Sequence, residues 1–525
     1  MPRSTAQRVK RLFLVLAFLA MAVVLLHALL TRLLHHVLRE RIQELAVRSG
    51  ANWVDSERTA ISIDVLAGDL RIVDLHWEST LTENRVQTTA AGRVDTLQLR
   101  GLSYVDLFMN RRLTADELAL FAVDIDLRMS RDTAPVRNPG SGPPDLRLGM
   151  LEVHIRNASV SLPDSTNIAA TDLRLDGGEI MLDMSLREFA ASHLHGSILG
   201  IRATPFADSL VHVASIELDG MKGAATLENI TFGPANVVER ARGVALERDV
   251  LSGSISSLDL RGLDMDALLG GVLTIRAVQL GPTDLIVARD KVLTDPPFQH
   301  KPLPARSLRA MPLGAGADSL IVESLQVDYH ERVDVARGFA HIAFDSIAGV
   351  LTGLHNVPED TMRLMASGLV FGRTPVVLDL HSHIGDSSDH FVAEARVGRL
   401  AFAQLTNALA PLTGVATPAG RLDTLILRMN GRDARATARC WMRYDGLKLD
   451  RRGQKNKALD PVLNGLLNVI VKRGRTGEKD GEGWEDYAWD RRRDRSVFNY
   501  LWAGVREGAK TSMLPKAVVD QVSKR

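Results

Sequence analysis

Beyond residue 55 the chain alternates apolar and polar side chains with a period of two. The alternation is clear in ISIDV (61–65), LEVHI (151–155), LQVDY (325–329) and LILRM (425–429). Because successive side chains of a strand point to opposite faces, these segments predict strands with one apolar face. Arg156 and Asn157 predict a tight turn between Ile155 and Val160. Patterns long enough for crossover helices are scarce in 55–445, so the sequence predicts meandering antiparallel hairpins.

One phrase occurs twice, as VDTLQLRGL at 94–102 and as ISSLDLRGL at 255–263. In each place a short apolar stretch, further alternating segments and a Pro-rich segment follow in the same order. The Pro-rich segments are 134–144 and 295–312. A shared order of elements indicates internal duplication, which we place at about 93–185 and 254–355.

A few hairpins cannot bury their own apolar face, so the repeats are expected to share one sheet. We therefore predict a mostly β fold, in which 56–445 form an elongated, curled, repetitive antiparallel sheet. About twenty strands at about 4.8 Å spacing would extend roughly 100 Å. Without helices to cover it, the apolar face either closes into a sandwich or forms a groove for another apolar molecule. Aromatic residues are only 5% of the chain, and an aliphatic lining favours acyl chains.

The residues expected to line this groove are the apolar positions of the alternating segments. They are Leu97, Leu99, Ile125, Leu127, Val153, Ile155, Leu258, Leu260, Leu325, Val327, Leu425 and Leu427.

The N-terminus carries a continuous apolar run, Leu12–Leu30, interrupted by His27. At about 1.5 Å per residue it spans roughly 28 Å, close to the thickness of a bilayer's hydrocarbon core. A cleavable signal peptide is the alternative, since Ala20 and Ala22 form an A-x-A cleavage site, but the apolar run continues past that site. We predict a cytoplasmic tail at 1–11, a single transmembrane helix at 12–34 and an amphipathic neck at 35–55.

The segment 446–525 is predicted to hold short amphipathic helices and charged stretches. Asp460 and Pro461 can begin one helix. In the last helix Phe498, Leu501 and Trp502 fall on one face, with cations nearby, which suits a bilayer interface or a partner protein. The alternative is a helix that plugs the end of the sheet.

Composition and charge exclude several classes of function. Lys and Arg total 64 against 63 for Asp and Glu, so no global field attracts nucleic acid, and the single cysteine cannot form an internal disulfide. The best metal candidate is the group His381, His383, Asp386, Asp389 and His390, for which a solvated polar loop is the favoured interpretation. Nucleophile, zinc-protease and phosphate-loop motifs do not occur, so we expect no catalytic residue, cofactor or metal.

The C-terminal third carries an ordered set of more specific residues. They are Gly420, Leu422, Leu425, Leu427 and Gly431, then Met442, Tyr444, Leu447 and Lys448, then Ser496, Asn499, Tyr500, Leu501, Trp502 and Gly508. In this order they resemble the end of AsmA-like proteins of Gram-negative envelopes, although 473–496 are more charged than that pattern.

The resemblance implies an inner-membrane anchor with the bulk of the chain in the periplasm. It also implies a β-groove that binds phospholipids and moves them toward the outer membrane. We expect an envelope protein partner at the C-terminal end and no nucleic acid. The alternative function is a periplasmic β-scaffold that assists outer-membrane protein assembly without a lipid groove.

Overall fold

The structure is a computed structural model in which most of the chain from residue 51 to residue 513 is described. The described residues are 51–53, 59–64, 67–83, 86–110, 112–131, 145–163, 166–183, 188–191, 193–206, 209–269, 272–310, 316–356, 359–451 and 483–513. They form two units. The first comprises described residues up to 206 together with 212–222, and the second comprises 209–211 and 223–513.

The first unit is built from strands joined by short connections. They are β1 (Ala51–Trp53), β2 (Ala60–Asp64), β3 (Asp69–Glu83), β4 (Val86–Arg100), β5 (Arg112–Arg131), β6 (Asp145–Ser161), β7 (Asn167–Ala170), β8 (Asp172–Asp183), β9 (Glu188–Ala190), β10 (His193–Phe206) and most of β11 (Ser209–Asp219). A π-helical turn, Asp106–Asn110, lies between β4 and β5. Strand β1 begins inside the segment for which the sequence predicted a neck.

Most neighbouring strands of the first unit are antiparallel. β1 and β2 both pair with β3, which pairs with β4, and β4 pairs with β5. β5 and β6 are parallel. β7 and β8 together take the place of one strand between β6 and β10.

The second unit continues with longer strands and several helices. The strands are β12 (Ala224–Phe232), β13 (Asp249–Arg261), β14 (Thr274–Leu280), β15 (Thr283–Asp290), β16 (Gly316–Arg332), β17 (Ala340–His355), β18 (Thr361–Val370), β19 (Thr374–His383), β20 (Phe391–Val397), β21 (Leu400–Ala401), β22 (Val415–Gly431), β23 (Arg435–Arg451) and β24 (Glu485–Asp490). The helices are α1 (Val237–Arg242), α2 (Met265–Leu269), α3 (Pro304–Arg309), α4 (Phe402–Thr413) and α5 (Val497–Met513).

The sheet of the second unit is also mixed. β13 pairs antiparallel with β12, β14 and β15, whereas β14 and β15 both lie parallel to β16. From β16 to β20 successive strands are antiparallel, and β20, β22, β23 and β24 continue that pattern.

The mostly β fold is confirmed, but the prediction of a wholly antiparallel sheet is wrong. Parallel neighbours need a crossover of about a dozen residues or more, usually a helix. Between β15 and β16 the described residues 291–310 contain one helix, the short α3. The described part of this connection is therefore mostly loop, whereas the sequence pattern predicted parallel neighbours only where crossover helices occur.

The repeated phrase forms the same corner in both units. Gly101 and Gly262 adopt φ values of 64° and 67°, which favour glycine because a Cβ is strained there. The next residue is a buried leucine, Leu102 or Leu263, whose N–H donates to the carbonyl oxygen of Gly68 or Gly223 at 2.8 and 2.7 Å.

A polar residue after each corner begins a short helical turn. Ser103 accepts the Asp106 N–H at 3.2 Å, and Asp264 accepts the Ala267 N–H at 2.9 Å. The phrase thus encodes a strand end, a turn and a helix cap. The duplication stays a prediction, and this matched geometry favours it.

The turn predicted at Asn157 is wrong, because β6 runs through it. The pairing of β6 with β5 shifts by one residue there, from Val123 opposite Ile155 to Asp124 opposite Asn157. The Asn157 side chain donates to the Asp124 carboxylate at 2.8 Å. A bulge satisfies the polar residue without ending the strand.

Each unit has its own buried hydrophobic cluster. In the first unit, a cluster around Leu70, Ile72 and Leu99 joins β3 and β4 to β5 and β6. In the second unit, a larger cluster includes Leu427, Met429 and residues of α4 and α5.

None of the helices among the described residues is long and apolar enough to cross a membrane. The predicted transmembrane helix at 12–34 and most of the predicted neck lie outside the described residues. The helix predicted to begin at Asp460 lies outside them too.

Candidate functional site

Two long rows of apolar side chains cross the sheet of the second unit. In each row, neighbours lie directly opposite one another on adjacent strands. We define row A as Ala225, Leu260, Val278, Leu320, Leu351, Leu364, Leu380, Ala393, Met429 and Ala438, and row B as Leu227, Leu258, Leu280, Val322, Gly349, Ala366, Leu378, Ala395, Leu427 and Cys440. On every strand the two members are two residues apart, so both rows share one face.

The two ends of these rows differ in burial. At the C-terminal end Leu380, Leu427, Met429 and the neighbouring row members are buried in the large hydrophobic cluster. At the N-terminal end, apart from the buried Ala225, the row members are only half-buried, and they belong to none of the buried clusters. They are Leu258, Leu260, Val278, Leu280, Leu320 and Val322.

Helix α5 covers the buried end of the rows. It packs against β22, β23 and β24 through Tyr500, Gly504, Gly508 and Ser512, which are buried at four-residue spacing. The glycines permit a close approach: a Cβ on Gly508 would lie 3.0 Å from the Sγ of Cys440. The covered end is therefore sealed, and the plugging helix that the sequence left as an alternative is present.

Where β18 to β22 cross the sheet, the face opposite the rows carries charged residues. Arg363 and Asp379 form an ion pair of 2.7 Å, and Arg428 and Glu394 form one of 3.0 Å. All four positions alternate with row members along their strands. Exposed pairs of this kind stabilise little, but they are typical of a solvated face. On β16 to β18 the same face carries the apolar residues Ile321, Val350 and Met365, so the charged stretch formed by these pairs is limited to β18 to β22.

The first unit has a comparable apolar face. One of its rows is Trp77, Gly92, Ile125, Ala158 and Ala170, and the next is Ser79, Ala90, Leu127, Val160 and Ile168. Trp77 lies over Gly92, where a Cβ would come within 2.8 Å of the indole. The alternate positions carry Asp124 and Asp126, which accept hydrogen bonds from Arg156 and Ser159.

The predicted lining residues of the first repeat divide into two groups. Ile125 and Leu127 lie on the half-buried rows, and Ile155 is half-buried opposite Val123. Leu99 is buried in the cluster of the first unit, and Leu97 packs against that cluster. Val153 is half-buried on β6, opposite Leu120 and Leu175.

The predicted lining residues of the second repeat and of the C-terminal third also divide. Leu258 and Leu260 lie at the half-buried end of the rows, while Leu427 lies at the sealed end. Leu425 is buried opposite Val397 and Met442. Leu325 and Val327 are half-buried on β16, outside both rows.

Helix α5 presents two of its three predicted contact residues to solvent. Phe498 is 55% exposed and Trp502 is 43% exposed, whereas Leu501 packs against the large cluster. One edge of the Phe498 ring also meets Phe344 of β17. The contact with a membrane or partner stays a prediction that rests on Phe498 and Trp502.

The carboxylates of the candidate metal group at 381–390 form ion pairs and hydrogen bonds within the protein. Asp389 is buried and forms ion pairs with Arg306, at 2.7 Å, and with Arg309. Asp386 accepts the Ser388 N–H at 2.8 Å. Within the part of the chain that the structure describes, no group of three His, Cys, Asp or Glu side chains could hold a metal ion.

No protein family model matches this chain, and no curated protein matches it in sequence.

Proposed function

We propose that the chain is a membrane-anchored periplasmic protein that binds and transfers phospholipids and so contributes to outer-membrane lipid homeostasis. The AsmA-like resemblance and the apolar run Leu12–Leu30 support an inner-membrane location with a single anchor. One observation carries the lipid-binding part. On β13, β14 and β16 the aliphatic members of rows A and B are half-buried and belong to no buried cluster.

The mechanism proposed is passive shielding. An acyl chain along Leu260, Val278 and Leu320 would leave water, at about 0.8 kcal/mol for each CH₂ group buried. The phosphate and glycerol groups would remain in solvent at the edge of the apolar face. No bond is made or broken, so the proposal needs no catalytic residue.

The sealed end limits the proposed lipid site to part of the sheet in the second unit. Because the members of row A from Leu351 of β17 onward belong to the large cluster or pack against it, an acyl chain would lie over β12 to β16. The charged part of the opposite face, with Asp379 and Glu394, is unsuited to acyl chains because carboxylates are costly to desolvate. One face of one stretch of the sheet is therefore the proposed lipid site.

Photocrosslinking in intact cells tests the proposal with a matched control in the same row. A photoreactive amino acid replaces Leu320 at the half-buried end, or Met429 at the sealed end of row A. We expect phospholipid adducts at position 320 and none at position 429. An adduct at 320 with an outer-membrane protein, and no lipid, would support the scaffold function instead.

A further inference from the structure

A cavity of about 200 Å³ lies in the second unit, beside the first turns of α5. Five cationic side chains line it: Lys291, Arg491, Arg492, Arg495 and Arg506. Trp489, Tyr500 and Trp502 supply its aromatic surface. At roughly 30 Å³ for each water molecule, the space exceeds what a single bridging water would fill.

Arg491 is the buried base of this cavity, with a side chain only 1% exposed. It donates to the Asp433 carboxylate at 2.7 Å and to the Lys301 carbonyl oxygen at 2.6 Å. Its buried Nε has no hydrogen-bond acceptor among the described residues. Asp433 is also shared with His300, at 3.0 Å, and with Arg493, at 3.5 Å. One carboxylate thus serves several cations, and burial lowers the pKa of Arg491.

Trp489 supplies a second unsatisfied donor. Its Nε1 is buried and likewise has no acceptor within the described part of the chain. The N-terminal turn of α5 adds positive potential through the helix dipole. Ser496 lies directly before this turn and accepts the Asn499 N–H at 3.4 Å. Both unsatisfied groups and the helix end favour a ligand that is anionic and only accepts hydrogen bonds.

The carboxylates near the cavity do not cancel this preference. Glu507 is held by Lys510 at 3.0 Å and by Arg506 at 3.2 Å. Asp490 is exposed to solvent, 3.9 Å from Arg435. Lys291 and Arg495 pair with Glu331 and Glu247. Arg491 and Arg493 share the carboxylate of Asp433, so positive charge is in excess beside Arg491. Arg492 and Arg506 pair with the partly exposed Asp494 and Glu507, and such weak pairs leave both guanidinium groups able to bind a ligand.

We propose that this cavity binds a phosphate group. Phosphate oxygens are acceptors, and the planar guanidinium of arginine binds them with two parallel hydrogen bonds. The cavity is below the roughly 300 Å³ of a drug-sized site, so it fits a phosphate with a small substituent such as glycerol. The exposed Trp502 offers apolar surface at its side. This inference is independent of the proposed acyl-chain site.

Isothermal titration calorimetry on the full chain in neutral detergent tests the site with two probes, glycerol phosphate and a monomeric short-chain phosphatidylglycerol. The cavity variant is Arg492→Gln with Arg506→Gln, whose side chains are 62% and 59% exposed. The control variant is Arg396→Gln with Arg421→Gln, which are 63% and 59% exposed on the sheet. Both variants remove the same charge from exposed positions, so folding is expected to survive in each.

We expect the cavity variant to weaken binding at least tenfold and the control to change it less than twofold. If glycerol phosphate shows this difference, the ligand is a phosphate compound in solution. If only the short-chain lipid shows it, the ligand is a lipid head group. Failure of both probes to bind, or equal loss in both variants, would overturn the proposal.

Discussion

Arg495 and Glu247 lie 248 residues apart in the chain and form an ion pair of 2.7 Å, with side chains only 7% and 4% exposed. Arg289 of β15 approaches the same carboxylate at 2.6 Å. Arg495 also donates to Asp295 in the Pro-rich segment at 3.0 Å. Buried charges therefore join the segment before α5 to β15 and to the loop that follows it.

Replacing Arg495 with Met should destabilise the second unit by about 3 kcal/mol, since a buried carboxylate loses one of its two cations. Arg289 still neutralises Glu247, which keeps the expected loss at the low end of the usual range. Thermal unfolding of the full chain measures it. Arg492→Met is the control, because that exposed neighbour should cost less than about 1 kcal/mol. Equal losses in the two variants would contradict a special role for the buried pair.

Asp433 should make the second unit sensitive to acid. Burial works to raise the pKa of Asp433, but the hydrogen bond with His300 and the charges of Arg306 and Arg491 outweigh it and lower the pKa below 3.8. A carboxyl with a lowered pKa stabilises the folded state above its unfolded pKa, and this contribution disappears as the pH falls through the folded value.

The measurement compares the melting temperatures of the native chain and Asp433→Asn from pH 7 to pH 3. The difference should be constant down to about pH 4 and should shrink below it. Because other acidic groups titrate in both proteins, the subtraction isolates Asp433. A difference that stays unchanged at pH 3 would show that this carboxyl does not carry the acid sensitivity.

Gly508→Ala should displace α5 from the sealed end of the rows. In an exposed helix this change would stabilise by about 1 kcal/mol. Here the added Cβ would lie 2.5 Å from the hydroxyl oxygen of Tyr487 and 2.9 Å from the Cβ of Cys440.

Thiol labelling reports the displacement cleanly, because Cys440 is the single cysteine and is buried. We expect labelling to be slow in the native chain and at least tenfold faster in Gly508→Ala. Arg506→Ala, an exposed change in the same helix, should leave the rate unaltered. Slow labelling in all three proteins would mean that the helix tolerates the added methyl group in place.

The period-two pattern places the four alternating segments ISIDV, LEVHI, LQVDY and LILRM on strands, because alternation is a local property of the chain. Leu258 and Leu260 were recognised as one face, and the structure extends that face across ten strands. The pattern could not separate the half-buried Leu260 from the buried Leu427. That difference depends on where α5 packs, which is a long-range contact.

The packing of helix α5 also depends on contacts that the sequence pattern does not reveal. Its apolar residues Phe498, Leu501 and Trp502 suggested one interacting face. The structure buries Tyr500 and the small residues Gly504, Gly508 and Ser512 and packs Leu501 beside them, while Phe498 and Trp502 remain exposed. Close packing favours small side chains, and hydrophobicity alone does not reveal them. The cavity around Arg491 was likewise hidden, because its counter-ion Asp433 lies 58 residues away.

Leu260→Asp and Leu99→Asp should separate the proposed lipid surface from packed core. Leu260 is half-buried at the uncovered end of row A, so a carboxylate there should leave the fold intact and abolish phospholipid capture at position 320. Leu99 is buried in the cluster of the first unit, so its replacement should cost at least about 3 kcal/mol of stability.

Thermal unfolding and photocrosslinking are measured on both variants, with Leu260→Ala as the neutral control. If Leu260→Asp unfolds the second unit as severely as Leu99→Asp unfolds the first, row A is closed core and the lipid proposal fails. If Leu260→Asp folds and still captures lipid, acyl chains do not lie on this face.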